Sequence, residues 1–136
     1  MLEQTLNGIG HFAIYFAASL VALIVFKVIY TLITPHDEWA LIKQQQNTSA
    51  AIGFGGGIIG FAIALSGSIT NSVSLVDFAI WAVVALVAQS IAFAIVRFVF
   101  MPKIVTRIED GEISAGVILA AVSISVGLLN AACMTY

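Results

Sequence analysis

Residues 47–71, NTSAAIGFGGGIIGFAIALSGSITN, decide the class of fold. From about Ala50 to Ile69 the chain is uncharged and mainly apolar. An α-helix needs about 20 such residues to cross the hydrocarbon of a bilayer. Hydrocarbon offers no hydrogen bonds, so the backbone has to satisfy its own polar groups, and a helix does this within one segment. The stretch therefore predicts a membrane-spanning helix.

Three further stretches have the same character: about His11 to Ile33, about Val76 to Met101, and about Ile113 to Met134. Of the 136 residues, 61% are hydrophobic and 9% are charged, and the mean hydropathy is +1.10. A soluble domain carries about 25% charged residues to cover its surface. The sequence therefore predicts an all-α membrane protein, a single transmembrane domain (1–136) with four transmembrane helices and no room for a soluble domain.

The basic residues predict the orientation of these spans. All five lie in or beside the first and third connections: Lys27, Lys43, Arg97, Lys103 and Arg107. Because basic loops stay in the cytoplasm, we expect both connections to be cytoplasmic and both termini to lie outside. Lys27 and Arg97 fall near the cytoplasmic ends of their spans, where a long side chain reaches the headgroups. The alternative for either residue is a functional buried charge.

The two halves of the chain resemble each other. Ile33-Thr34-Pro35-His36 ends the first span as Phe100-Met101-Pro102-Lys103 ends the third, and the helix start at 47–52 resembles that at 112–117. We expect a short interfacial helix after each proline, and two parallel repeats related by a two-fold axis along the membrane normal. Repeat 1 covers about 11–70 and repeat 2 about 76–136. The alternative is chance similarity between apolar helices.

Small residues predict which helices pack together, because they let backbones approach in lipid. They form stripes in the second and fourth spans: Gly53, Gly56, Gly57, Gly60, Ala64 and Gly67, then Gly116, Ala120, Ser123 and Gly127. We expect these two spans to form the core, with the first and third more exposed to lipid. The stripes also favour a homo-oligomer. The succession Gly55-Gly56-Gly57 leaves a second interpretation open, a flexible or broken helix that lines a path.

Polar residues within the spans are the candidates for a functional site. Gln89 lies in the middle of the third span, and Ser123 and Asn130 lie in the fourth. Each either contacts a substrate or hydrogen-bonds a neighbouring helix. Asp77 begins the third span, where an acid favours the amino end of a helix, and a cation-attracting mouth is the alternative.

No residue pattern predicts catalysis, a cofactor or a metal. His36-Asp37-Glu38 is consecutive, so the side chains diverge on a helix, and no second histidine or cysteine follows at ligand spacing. Cys133 lies among small residues, as an apolar filler does. The net charge of -2 does not suggest a nucleic acid as partner.

Three stretches carry a resemblance to a known family. Residues 34–43 (TPHDEWALIK), 47–51 (NTSAA) and 130–135 (NAACMT) resemble the YjfL-like family of small bacterial inner-membrane proteins, built on a paired domain of unknown function. The resemblance implies a bacterial inner-membrane location and four spans in two repeats. Members are often encoded near phage-shock-type peripheral proteins, which implies a role in envelope stress. The family supplies no active site.

These observations lead to two hypotheses of function. In the first, the protein is a non-enzymatic oligomeric component that supports the envelope under stress, contacts membrane lipid, and docks a peripheral stress protein on its cytoplasmic connections. In the second, it is a small oligomeric channel or transporter for ions or small polar solutes, with Gln89, Ser123 or Asn130 lining the path.

Overall fold

A computed structural model describes residues 1–34 and 38–134, except the side chain of Glu38. This part of the chain forms six α-helices and contains no β-strand. The helices are α1 (Leu2–Ile33), α2 (Glu38–Lys43), α3 (Thr48–Asn71), α4 (Leu75–Ile95), α5 (Ile104–Glu109) and α6 (Ile113–Cys133). A π-helical segment, Val96–Phe100, continues α4.

Four of these helices are long and apolar enough to cross a membrane: α1, α3, α4 with its π-helical segment, and α6. The prediction of an all-α membrane protein with four transmembrane helices is therefore confirmed. The short helices α2 and α5 lie in the first and third connections, as expected. The beginning of α1 differs from the prediction, because the helix starts at Leu2 rather than near His11. At 1.5 Å per residue, α1 is about 48 Å long and exceeds the hydrocarbon thickness of about 30 Å.

The α3 and α6 helices pack backbone against backbone. A Cβ atom at Gly56 would overlap the Cα of Ala120, and one at Gly60 would overlap the carbonyl of Ser123. Near the far end, a Cβ at Gly67 would lie 2.8 Å from the Cα of Ala131. The contacts advance in the same order along both helices, so α3 and α6 run parallel. Only glycine permits this approach, which explains Gly56, Gly60 and Gly67.

The three consecutive glycines of α3 face different neighbours. A Cβ at Gly55 would meet nothing within 4 Å, whereas Gly56 faces α6. A Cβ at Gly57 would lie 3.4 Å from the ring of Phe26 and 3.5 Å from that of Tyr30, both on α1. The helix is continuous from Thr48 to Asn71, so the structure favours tight packing over a broken helix.

Aromatic side chains attach α1 to the other helices. Phe26 stacks on Phe61 of α3 with ring centroids 4.7 Å apart. Tyr30 contacts the ring edges of Phe54 and Phe93 at 5.5 and 6.0 Å. Most of the remaining surface of α1 is exposed, so this helix lies at the periphery of the bundle.

The predicted division into inner and outer helices is only partly right. In the most apolar stretch of each span, the share of buried residues is 56% in α3 but only 6% in α1, as expected. The prediction for the other two helices was wrong, because the share is 33% for the third span and 22% for α6. The α6 helix packs one narrow stripe of its surface against α3 and leaves most of its remaining surface exposed, whereas α4 contacts both α3 and α6.

The π-helical segment has a local cause in the sequence. The Met101 N–H donates to the carbonyl of Val96, five residues back, at 2.7 Å. An α-helix continuing here would need the next residue to donate to Phe98, and Pro102 has no N–H. The widened turn therefore ends the span just before the proline.

The starts of α3 and α6 share a local geometry. Gln46 and Gly111 both have positive φ, 52° and 82°, and each directly precedes the N-cap residue of the next helix, Asn47 or Glu112. The two helix starts therefore share this backbone feature, although the Asn47 side chain caps α3 and the Glu112 side chain forms no capping hydrogen bond to α6. The two-fold relation between whole repeats, 11–70 and 76–136, stays a prediction.

We expect Gly56→Ala to lower the free energy of unfolding by about 1–3 kcal/mol, the usual cost of overpacking, because its methyl group meets the Ala120 backbone. The matched control is Gly55→Ala, which adds the same methyl group into open space and improves helix propensity. Both can be compared by thermal denaturation in detergent, followed by fluorescence-detected size exclusion. Equal loss of stability in the two variants would contradict backbone packing of α3 on α6.

Candidate functional site

The side-chain amide of Gln89 is buried in the middle of the membrane span. Gln89 is 3% exposed, and its Nε2 and Oε1 atoms have no hydrogen-bond partner among residues 1–34 and 38–134. A Cβ at Gly60 would lie 3.1 Å from Nε2, so the amide lies against the place where α3 crosses α6. Burying an unpaired polar group costs about 1–3 kcal/mol. Two N–H groups and one oxygen are thus available here to a polar molecule.

Two of the small residues form the wall beside this amide. Gly60 lies on α3, and Ser123 lies opposite it on α6, 2% exposed. A Cβ at Gly127 would overlap the Gly60 carbonyl. The amide therefore faces helix backbones in direct contact, at a junction of α3, α4 and α6.

The other polar candidates do not join this junction. Asn130 has a buried Nδ2 without a partner in the described part of the chain. It lies seven residues beyond Ser123 on α6, which is about 10 Å along the axis. Asp77 lies twelve residues before Gln89 on α4, or about 18 Å away. Gln89 and Ser123 thus lie at one junction, whereas Asn130 and Asp77 lie at other depths of the bundle.

Asp77 takes part in the start of α4. Its N–H donates to the Ser74 hydroxyl at 3.1 Å, and its carboxylate accepts from the Val73 N–H at 3.0 Å. These two bonds satisfy backbone and side-chain groups at a helix amino end, as in a capping box. The geometry favours the capping interpretation over the cation-attracting mouth.

Asn47 joins the first and third connections, which the sequence analysis did not predict. Its Oδ1 accepts from the Ala50 N–H at 2.9 Å and caps α3. Its Nδ2 donates to the carbonyl of Ile108 at 2.7 Å, 61 residues away at the end of α5. A helix start with asparagine signals the cap, but no sequence signal identifies the second partner. Asn47 is 9% exposed, so both bonds are shielded from water.

The two connections form one surface, which we call the connection face (residues 38–47 and 101–112). Its inner side is apolar, because Leu41, Ile104 and Ile108 are buried together. Its outer side is polar and exposed, with Lys43, Gln44, Gln45, Gln46, Lys103, Glu109, Asp110 and Glu112. Arg107 Nε lies 2.7 Å from Glu112 Oε2, with side chains 38% and 46% exposed. Such an exposed ion pair adds little stability.

A groove of about 360 Å³ between α1 and α4 is lined by apolar residues such as Ala22, Phe78 and Leu86. His36 and Asp37 lie outside the described residues, as does the side chain of Glu38. Among the residues that are described, no group of three or more His, Cys, Asp or Glu side chains could hold a metal ion.

Comparison with known proteins identifies the family. The model of the Domain of Unknown Function DUF350 matches residues 4–134. The chain is 39% identical to the UPF0719 inner membrane protein YjfL of Escherichia coli (strain K12), over 96% of this chain and 98% of the relative. It is 28% identical to the UPF0719 transmembrane protein YshE of Bacillus subtilis (strain 168), over 93% of this chain and 94% of the relative. No solved structure matches. With four membrane helices and a family model covering nearly all of its length, the chain belongs to the DUF350 family of membrane proteins.

Proposed function

We propose that this protein is a non-enzymatic scaffold of the bacterial inner membrane that docks a peripheral cytoplasmic protein on its connection face. The hydrogen bond from Asn47 to Ile108 is the observation that carries this function. It fixes two connections, distant in sequence, as one surface before a partner arrives. A surface that is already ordered loses less entropy on binding.

The charges of the connection face suit a protein partner. Lys43 and Lys103 lie among acidic residues such as Glu109 and Asp110, all exposed. A mixed pattern of this kind gives specificity and orientation to a polar interface. The envelope-stress role implied by the family resemblance fits such a scaffold. The relatives' names assign no reaction.

Self-association loses its original support. The stripes that favoured a homo-oligomer, from Gly53 to Gly67 and from Gly116 to Gly127, are occupied within one chain by α1, α4 and the contact of α3 with α6. Scaffolding therefore does not depend on a second copy.

Asn47→Asp tests docking separately from folding. The carboxylate retains the oxygen that caps α3, but it cannot donate to the Ile108 carbonyl. We expect the variant to insert normally and to lose most of the protein that co-purifies with the tagged wild type after mild extraction, measured by quantitative mass spectrometry. Lys103→Glu should do the same, whereas Asn7→Glu at the other end of the molecule should not. A partner that stays with all three variants would contradict docking on this face.

A deletion strain tests the physiological role. Loss of the protein should sensitise cells to detergent, solvent or ionophore, with restoration by the wild type but not by Asn47→Asp. Normal envelope integrity under all three stresses would contradict a role in envelope stress.

The proposed orientation places the connection face in the cytoplasm. The chain has one cysteine, so Cys133→Ser gives a background for single new cysteines at the exposed positions Gln45 and Asn7. In intact cells, a membrane-impermeant maleimide should label Asn7→Cys strongly and label Gln45→Cys only after the cells are lysed. The reverse pattern would put the connection face outside.

A second candidate function, transport of an ion or small polar solute, is favoured by the unpartnered amide of Gln89. We expect Gln89→Leu to abolish any flux through purified protein in liposomes. The thermal stability of the Gln89→Leu variant should equal or exceed that of the wild type, because no hydrogen bond is lost. Ser90→Ala is the control, since that hydroxyl already bonds to the carbonyl of Leu86. If the wild type passes no ion or polyamine across any gradient, transport is excluded.

A further inference from the structure

Two lysines converge on one tryptophan of the connection face. The Nζ of Lys27, on α1, lies 4.1 Å from the ring centroid of Trp39, on α2. The Nζ of Lys43 lies 5.8 Å from the same ring. The two ammonium groups are therefore within about 10 Å of each other. Trp39 itself is 40% exposed, so the group is open to its surroundings.

Neither lysine has an acidic partner among the described residues. The ion pair found there joins Arg107 and Glu112 instead. A cation over an indole face is held in place by the ring quadrupole but keeps its full charge. Two such cations repel each other, and an anion bound between them removes the repulsion. The electrostatics of this group thus favour a negatively charged ligand.

The position of the group in the membrane indicates where that ligand comes from. Lys27 belongs to the last third of the α1 span, and Trp39 lies on the short helix that follows. Tryptophan prefers the level of the lipid headgroups, and lysine extends from a span to the same level. The anions that are concentrated there are phosphate groups of acidic lipids.

We propose that Lys27, Trp39 and Lys43 bind the phosphate headgroup of an anionic phospholipid from the cytoplasmic leaflet. This site shares Trp39 and Lys43 with the connection face, but it does not rest on the docking of a protein partner. It selects one class of lipid from the bilayer, whereas the apolar surface of the spans contacts any acyl chain. Free phosphate shares the headgroup chemistry but lacks the acyl chains that hold a lipid at this level of the membrane.

Bromolipid quenching of Trp39 measures the binding directly. The chain has two tryptophans, so Trp81→Phe leaves Trp39 as the sole emitter. The full-length variant is reconstituted in phosphatidylcholine nanodiscs that contain 20% of either brominated phosphatidylglycerol or brominated phosphatidylcholine. Since each basic residue near an anionic surface contributes about 1 kcal/mol, two lysines should give roughly a tenfold or greater preference for the anionic lipid. Equal quenching by the two lipids would overturn the site.

Matched variants separate this site from general attraction to positive charge. Lys27→Gln with Lys43→Gln should reduce the preference to about that of an unselective surface, roughly twofold or less. Arginine at both positions should restore it and also shows that the fold tolerates the changes. Lys103→Gln with Arg107→Gln removes two positive charges from the third connection and should leave the preference unchanged. An equal loss in this control would show that the attraction is not local.

Inorganic phosphate distinguishes the two sources of the anion. In nanodiscs of phosphatidylcholine alone, 10 mM phosphate should leave Trp39 emission unchanged, and in the mixed discs it should not displace the brominated phosphatidylglycerol. Displacement by free phosphate would overturn the lipid assignment in favour of a soluble phosphate ligand.

Discussion

The contact between the backbones of α3 and α6 is the constraint on which the rest of the structure depends. In lipid, apolar side chains gain little from leaving their surroundings, so helices associate through close van der Waals contact and polar bonds. Gly56 and Gly60 provide that contact on α3, against Ala120 and Ser123. Because the surfaces fit only in one register, the two helices are fixed both in distance and along their axes. The other spans attach to this pair, α1 through aromatic rings and α4 through its contacts with both helices.

The register of α3 and α6 also determines how the first and third connections meet. The parallel helices are in contact from Gly116 on α6, near their starts, to Gly67 on α3, near their ends. They therefore begin at similar depths, and the segments that precede them meet. Asn47 therefore reaches the carbonyl of Ile108, and the two connections become one surface. A membrane contact between glycines thus positions a surface that lies outside the membrane. The proposed scaffold and the proposed lipid site both depend on this fixed position of the connections, and they occupy neighbouring parts of the connection face.

The sequence predicted what each segment determines by itself. Length and hydropathy gave the four spans, and the residues after Asn47 and Glu112 marked two helix starts. What the sequence could not give depends on partners from other segments. Gly57 packs on α1 although its neighbour Gly56 packs on α6, and α6 is less buried than the third span. The π-helical segment before Pro102 results from the choice between alternative backbone hydrogen bonds, and the hydrophobic periodicity of the sequence does not indicate that choice.

The same distinction applies to the candidate site. The sequence identified Gln89 as a polar residue in the middle of the third span, and the structure buries it. The amide lacks a partner because of the groups that α3 and α6 present to it. These are Gly60 and backbone groups that are already hydrogen-bonded within their own helices. A leucine of similar volume would remove the cost of the unpaired amide without disturbing the crossing. Stability alone therefore does not account for glutamine at this position. Gln89 is therefore the residue whose substitution separates the proposed scaffold, which does not need the amide, from the proposed transporter, which does.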